Sequence, residues 1–388
     1  MPPRRFILFA TSLIAVLHAY IGLRILPDAR VGLAATAAGI FFLVLSALLI
    51  PVGLLARALP SRLGKQYGKL VGLLVWPGLI AIGLFSSLFV LTLLRDVALV
   101  PALVFVDEPT LSAFVLYSAR TVPVLALLLT SIGLYNARRT PGVVHVDIRV
   151  PRLHASLHGL TITQLSDIHV GPTIGRRFIE RIVEKVNGIE SDLIAITGDL
   201  VDGSVRDLAA HVEPLSALKA KHGTYFVTGN HEYYSGAAAW VTELRRLGLR
   251  VLENEHVVLE HRGAPLVVAG VTDFSAHQFD ERKRSDPAVA LHGAPEDAVL
   301  RILLAHQPRS ADAAERAGFD LQLSGHTHGG QFLPWNFFVR FQQPYVAGLH
   351  RLRNMWIYIS RGTGYWGPPK RLGAPAEITR LRLLAVDA

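Results

Sequence analysis

The sequence predicts an α-helical membrane region that crosses a bilayer several times, followed by a layered α/β domain with mixed β-sheets. Three observations predict it. Long uncharged apolar runs crowd residues 1–140, strands and helices alternate through residues 141–388, and the excess positive charge is confined to the first part. Of the formal +9 over 388 residues, residues 1–140 contribute +8 (12 Lys/Arg, 4 Asp/Glu) and the remaining 248 contribute +1 (27 and 26). A nucleic-acid surface would place that excess on the folded domain, so the pattern counts against nucleic acid as a partner and against a nuclease. The chain has no cysteine, which excludes disulfides, thiolate metal sites and cysteine nucleophiles.

Four spans are expected in the first part. Phe6 to Leu23 is apolar between Arg4-Arg5 and Arg24, while Val31 to Ala56 and Leu70 to Leu94 are 26 and 25 residues without a charge. Each is long enough to cross about 30 Å of hydrocarbon. The fourth lies within Leu111 to Asn136, with Arg120 expected near an interface, its charge reaching out of the hydrocarbon. Val97 to Val106 is apolar but short and holds Pro101, which reads as a re-entrant or interfacial piece, with a fifth span as the alternative. Arg57, Arg62, Lys65 and Lys69 form a loop without acids. With Arg4-Arg5 and Arg138-Arg139, they alternate with loops that lack a basic excess. The positive-inside rule then places both termini and the C-terminal domain in the cytoplasm, on a cell inner membrane. Arg4-Arg5 resembles a twin-arginine export signal only loosely and reads as an anchor charge. His18 reads as a packing or interfacial residue.

Thr140-Pro141-Gly142 breaks the last span and starts the second part. Val143 to Val150 alternates as a strand, and Phe178, Ile182 and Val186 mark a helix. Leu208 to Leu218, Ala237 to Leu247 and Ala311 to Ala317 read as further helices. Val257 to Glu260 and Leu266 to Val271 read as a hairpin across Arg262-Gly263, and Ile357 to Ser360 and Ile378 to Leu384 as closing strands.

Five apolar strands end in residues that can bind a cation. Ile162 to Leu165 runs into Asp167-Ile168-His169, Leu193 to Ile196 into Gly198-Asp199, and Tyr225 to Val227 into Gly229-Asn230-His231-Glu232. Ile302 to Leu304 runs into His306, and Leu321 to Leu323 into Gly325-His326-Thr327-His328. A buried strand delivers such groups to the mouth of a sheet. Asp199, with two carboxylate oxygens, can give one to each of two ions. Shared in this way, it gives each ion four protein ligands and leaves positions open for a bridging water. Two ions roughly 3.5–4 Å apart can clamp the attacking and leaving oxygens of a phosphoryl transfer. His/Asp/Asn ligation favours Mn, Fe or Zn over Mg or Ca. His231, beside the candidate ligand Asn230, is the candidate general acid, and Asp202 is placed to hold its ring.

Together these motifs resemble the calcineurin-like metallophosphoesterase superfamily, over roughly residues 143–388. Gly-His-Thr-His-Gly-Gly-Gln (325–331) and Ser-Arg-Gly-Thr-Gly (360–364) narrow the likeness to its membrane-anchored bacterial branch. The resemblance implies two mixed β-sheets sandwiched by helices and a dinuclear site. It implies that Asp167, His169, Asp199 and His328 hold one ion, and Asp199, Asn230, His306 and His326 the other. It also implies hydrolysis of phosphodiester or pyrophosphate bonds, with a lipid-linked substrate expected because a soluble one gives no physical reason for four spans. One departure matters. The protein phosphatases of this superfamily carry Gly-Asp-x-x-Asp-Arg-Gly, but here Gly203 follows Asp202, which argues against a phosphoprotein monoesterase. The alternative is a membrane sensor or transporter with a non-catalytic, phosphate-binding domain. Against it stands the candidate acid His231 beside a complete ligand set. Phe332 to Phe341, and Tyr365-Trp366 with Lys370-Arg371, read as core packing and solvated loop, or else as an apolar rim for a bilayer.

Overall fold

The computed structural model describes residues 4–55, 64–151 and 153–386. It divides into two compact units: residues 1–138 with 367–372, and residues 139–366 with 373–388.

The first unit is built on four helices, α1 (Arg4–Ile25), α2 (Leu33–Leu55), α3 (Gly64–Phe105) and α4 (Glu108–Arg138). All four are long and apolar enough to cross a membrane. Val97 to Val106 is neither re-entrant nor a separate span, because α3 continues to Phe105 with Pro77 and Pro101 inside it. A proline removes one backbone bond, and packing neighbours keep such a helix intact. Arg57 and Arg62 lie outside the described residues, while Lys65 and Lys69 fall within α3. Arg95, buried, pairs with Asp28 at 2.5 Å and donates to Ser118 at 2.9 Å; Arg24 pairs with Asp96 at 2.9 Å. The α1–α2 turn and the Arg95–Asp96 stretch of α3 therefore share one end of the bundle. Arg120 donates to the Ala29 carbonyl in the same turn. His18 is buried, bonded to Ser46 and stacked on Phe85, a packing residue as expected.

The segment 367–372 belongs to this helical unit. Lys370 Nζ donates to the Gly83 carbonyl and to Ser87 Oγ, each at 2.6 Å, and the Arg371 N–H donates to the Gly133 carbonyl. Both side chains are buried, so Lys370-Arg371 is neither a solvated loop nor a rim. Charge made them look exposed, yet a lysine whose ammonium finds two oxygens can be buried among helices.

The second unit holds strands β1 (Gly142–Val150), β2 (Thr161–Leu165), β3 (Leu193–Ile196), β4 (Thr224–Phe226), β5 (Arg250–Val251) and β6 (Glu255–His261). The rest are β7 (Ala264–Gly270), β8 (Arg301–Leu304), β9 (Leu321–Ser324), β10 (Gly348–Leu352), β11 (Met355–Ile359) and β12 (Glu377–Ala385). They form two six-stranded sheets, ordered β1-β12-β2-β3-β4-β5 and β10-β11-β9-β8-β7-β6. Both sheets are mixed: β2 to β5 and β7 to β9 run parallel, while β12 meets β2, β10 meets β11 and β6 meets β7 antiparallel. Ile162, Leu193, Val268, Ile302, Leu304 and Leu321 fill the core between the sheets. The alternate residues Val267, Ala269 and Leu303 face the other way, against Ala311 and Ala314. Burial on both faces is why these strands read as unbroken apolar runs.

Helices cover the sheets: α5 (Arg176–Asn187), α6 (Val205–Val212), α7 (Asn230–Ser235), α8 (Ala237–Arg246), α9 (Pro287–Ala290), α10 (Ala311–Ala317) and α11 (Trp335–Phe338). In α5, Phe178, Ile179, Ile182, Val183 and Val186 form the buried stripe, the spacing of a one-faced helix. The helix expected to run on to Leu218 gives way at Val212 to a tighter turn (Glu213–Ala217) containing Pro214, where a proline ends the regular bonding. β5 and β10 are too short or too polar to show in the pattern.

Candidate metal centre

The five ligand-bearing loops leave the C-terminal ends of β2, β3, β4, β8 and β9 and converge on one edge of the sandwich. The β2 and β3 loops are zipped together: the Asp167 N–H donates to the Gly198 carbonyl, His169 to Asp199, and Val170 to Leu200. Asp167, His169, Asp199, His326 and His328 all take positive φ, between 51° and 72°. Non-glycine residues seldom adopt this conformation, and such strain gathers where side chains must be aimed. Two glycines allow the close approach. A Cβ on Gly229 would sit 2.2 Å from Asp199 Oδ1, and one on Gly325 would sit 2.2 Å from Asp167 Oδ2.

Among the described residues two separate ligand groups result, Asp167, His169 and His328 and Asp199, His306 and His326, and a third, His169, Asp199 and His231, draws one member from each and adds His231. His169 Nε2 lies 3.0 Å from His328 Nε2, and His328 Nε2 lies 3.6 Å from Asp167 Oδ1. On the other side His306 Nε2 is 3.1 Å from Asp199 Oδ2 and 3.2 Å from His326 Nδ1. Asp199 Oδ2 is also 3.9 Å from His169 Nε2, so it faces both groups. Asp199 Oδ1 accepts the His231 N–H at 2.9 Å. Oδ2 is thus the oxygen that lies within 4 Å of a histidine of each group, while Oδ1 accepts a hydrogen bond from the β4 loop.

The residues fit divalent cations. Among the described residues Asn230 Oδ1 is buried without a hydrogen-bond partner, a state that costs free energy unless something else binds it. His306 Nδ1 meets the Thr197 carbonyl at 2.7 Å, which fixes the proton there and turns Nε2 to the site. Burial lowers the His306 pKa, but Asp199, Asp167 and Asp273 outweigh it and lift it well above the ordinary range, a measure of how strongly the cluster favours positive charge. Burial and His306 push His326 down to about 3, so His326 is neutral and able to ligate.

His231 sits beside the two groups, its Nε2 4.0 Å from Asp199 Oδ2. Asp202 Oδ1 holds His231 Nδ1 at 2.5 Å and His169 Nδ1 at 3.2 Å. One carboxylate thus orients both the candidate acid and a candidate ligand.

Two residues received no role from the sequence: Glu232, seen there only as the end of a motif, and Asp273. Glu232, fully buried on the first turn of α7, accepts the N–H groups of Asp199 (2.9 Å), Leu200 (2.8 Å), Val201 (3.2 Å) and Gly229 (2.7 Å). It ties the β3 and β4 loops together. Its place three residues past the Gly229 cap was the available signal. Asp273, buried past β7, accepts from Ser275 and Gln307; it obeys the same rule of a strand running into an acid. Phe332 is buried, whereas Trp335, Phe337, Phe338 and Phe341 are exposed.

Comparison with known proteins agrees with this geometry. The calcineurin-like phosphoesterase family profile matches residues 160–330, which contain every residue of the two groups. The chain belongs to the calcineurin-like metallophosphoesterase family, whose members use divalent metals. It is 39% identical over 272 residues to the transmembrane protein with metallophosphoesterase domain of Danio rerio, covering 67% of this chain and 62% of the relative. The Bos taurus protein of that name is 42% identical, covering 68% and 62%. An uncharacterized metallophosphoesterase of Campylobacter jejuni is 35% identical, covering 67% and 68%. The chain thus spans about 62% of the length of the vertebrate relatives it matches.

Proposed function

We propose that this chain is a membrane-anchored two-metal hydrolase of phosphodiester or pyrophosphate bonds, acting on a lipid-linked substrate at the cytoplasmic face of an inner membrane. The helical unit, residues 1–138 with 367–372, is the anchor, and residues 139–366 with 373–388 are the catalytic domain. Asp167, His169, Asp199 and His328 hold one ion, and Asp199, Asn230, His306 and His326 the other. The observation that carries this reading is Asp199 Oδ2, which faces both ligand groups with His231 Nε2 4.0 Å away. When bound, the ions lower the pKa of an attacking water and offset phosphoryl charge. The chain's own groups do the rest. His231 gives its proton to the leaving oxygen as the P–O bond breaks, the proton lost by water restores it, and Asp202 keeps Nδ1 engaged so that Nε2 faces the substrate. The full chain in detergent, loaded with Mn, is expected to turn over an aryl phosphodiester faster than the matching monoester. Monoester preference would make it a phosphatase, and two bound ions without turnover would favour the sensor.

The lipid-linked part rests on the exposed aromatics. Trp335, Phe337, Phe338 and Phe341 are 52–85% exposed, and their segment is rooted on the His328 loop, where a Cβ on Gly330 would meet Asn336 Cα at 2.1 Å. Exposed Trp and Phe beside Arg340 suit a lipid interface. Trp335→Ser with Phe338→Ser should lower turnover of a vesicle-borne substrate by about tenfold, equivalent to roughly 1.4 kcal/mol, while sparing a soluble one. Equal losses on both would remove the lipid interface from the account.

A further inference from the structure

The ring contacts of His231 point to a leaving-group subsite. Apart from the neighbouring His169, they are made by Tyr234 and Trp366, with centroids 5.2 and 5.8 Å away and planes tilted by 75° and 73°. Tyr234 is 64% exposed and Trp366 46%, so both rings still offer surface to a bound molecule. Phe279, also half exposed, backs Tyr234 with its centroid 5.6 Å away. The Trp366 backbone is anchored: its main-chain N–H donates to Gln331 Oε1 and its carbonyl accepts from Gln331 Nε2, both at 2.9 Å. Gln331 itself is buried, with φ 56°, three residues past His328. The loop that carries a candidate metal ligand therefore also sets the position of this tryptophan.

We propose that Tyr234 and Trp366 form a subsite for the leaving group, and that this group is an uncharged alcohol bearing a planar ring, such as a nucleoside or an aryl alcohol. The proposal rests on the reading of His231 as the acid. Whatever is bonded to the oxygen that His231 protonates must pass these two rings. An uncharged planar ring gains stacking on the two aromatic faces, which a departing phosphate does not. The step balances as hydrolysis. Water adds oxygen to phosphorus, the P–O bond to the alcohol breaks, and the alcohol leaves with the His231 proton, which the water's own proton replaces.

The test uses the full chain in detergent with Mn and two diesters of equal leaving-group basicity: methyl 2-phenylethyl phosphate and methyl 2-cyclohexylethyl phosphate. The phenyl diester is expected to have the higher kcat/KM by about two- to tenfold, with 2-phenylethanol and not methanol as the released alcohol. Trp366→Ala and Tyr234→Ala should erase that preference mainly through KM, and Trp366→Phe should retain it. Equal kcat/KM for the two diesters, or release of methanol, would overturn the subsite while leaving the hydrolase intact. Calorimetric binding of methyl(3-phenylpropyl)phosphinate, in which P–C bonds replace both ester links so that nothing can be hydrolysed, gives a second readout. Weaker binding to Trp366→Ala than to the unaltered chain supports the subsite even if no diester is turned over, and equal binding overturns it.

Discussion

Replacing His231 with alanine is expected to lower kcat on a diester with an alkyl leaving group by about 10²–10⁴, and to lower it far less on a p-nitrophenyl diester. The contrast follows from the role. Nitrophenolate leaves without a proton, so deleting a proton donor matters little; an alkoxide does not. Metal content should stay the same if His231 is the acid, its Nδ1 being engaged by Asp202, whereas loss of metal would mark it as a ligand in the group it forms with His169 and Asp199. Equal losses on both substrates would show that the residue acts on the site and not on the leaving group. The pH profile supplies a second check. Burial draws the His231 pKa down, but Asp199 and Asp202 carry it up to about 9. Two bound ions would take up the Asp199 share of that rise, so the remaining lift comes chiefly from Asp202, and turnover falls as pH rises through the donor's pKa. Asp202→Asn removes one of the raising charges and should move that fall to lower pH.

The second large effect belongs to a residue that touches no candidate ion. Glu232→Gln replaces a carboxylate that accepts four backbone N–H groups with an amide that has one acceptor oxygen. Two N–H groups would then face an NH₂ group, each stranded donor costing about 1–3 kcal/mol. Burial and Asp199 favour the neutral Glu232 carboxyl, while the Gly229 and Leu200 N–H groups favour the anion. Its anionic form therefore depends on those bonds. For a domain of this size the loss should lower Tm by roughly 5–20 °C. Metal affinity should fall as well, because Asp199 and Asn230 lose their common support. An unchanged Tm with full metal content would show that the four bonds do not hold the loops.

Much of the site was legible because ligand delivery is local: an apolar run, then Gly-Asp, Asp-x-His or His-x-His, is read over a few residues. Asp199 stood out for that reason, and the converging loops carry every residue named from the motifs. The role of Glu232 was missed because its task joins N–H groups about thirty residues apart in the chain, and nothing in local spacing records that. Which Asp199 oxygen faces the ligand groups was likewise invisible, since it depends on the His231 N–H taking Oδ1. In the helical unit, Pro101 suggested a break that α3 does not make. Lys370 and Arg371 looked solvated because hydropathy counts a charge without seeing the oxygens that meet it.

The central claim is that Asp199 joins two cations into one hydrolytic site, and counting metal tests it most directly. The purified full chain should hold two divalent ions per molecule by elemental analysis. Asp199→Ala should lose most of both and, with them, diester turnover. A chain that holds two ions and keeps its turnover without the Asp199 carboxylate would contradict the account.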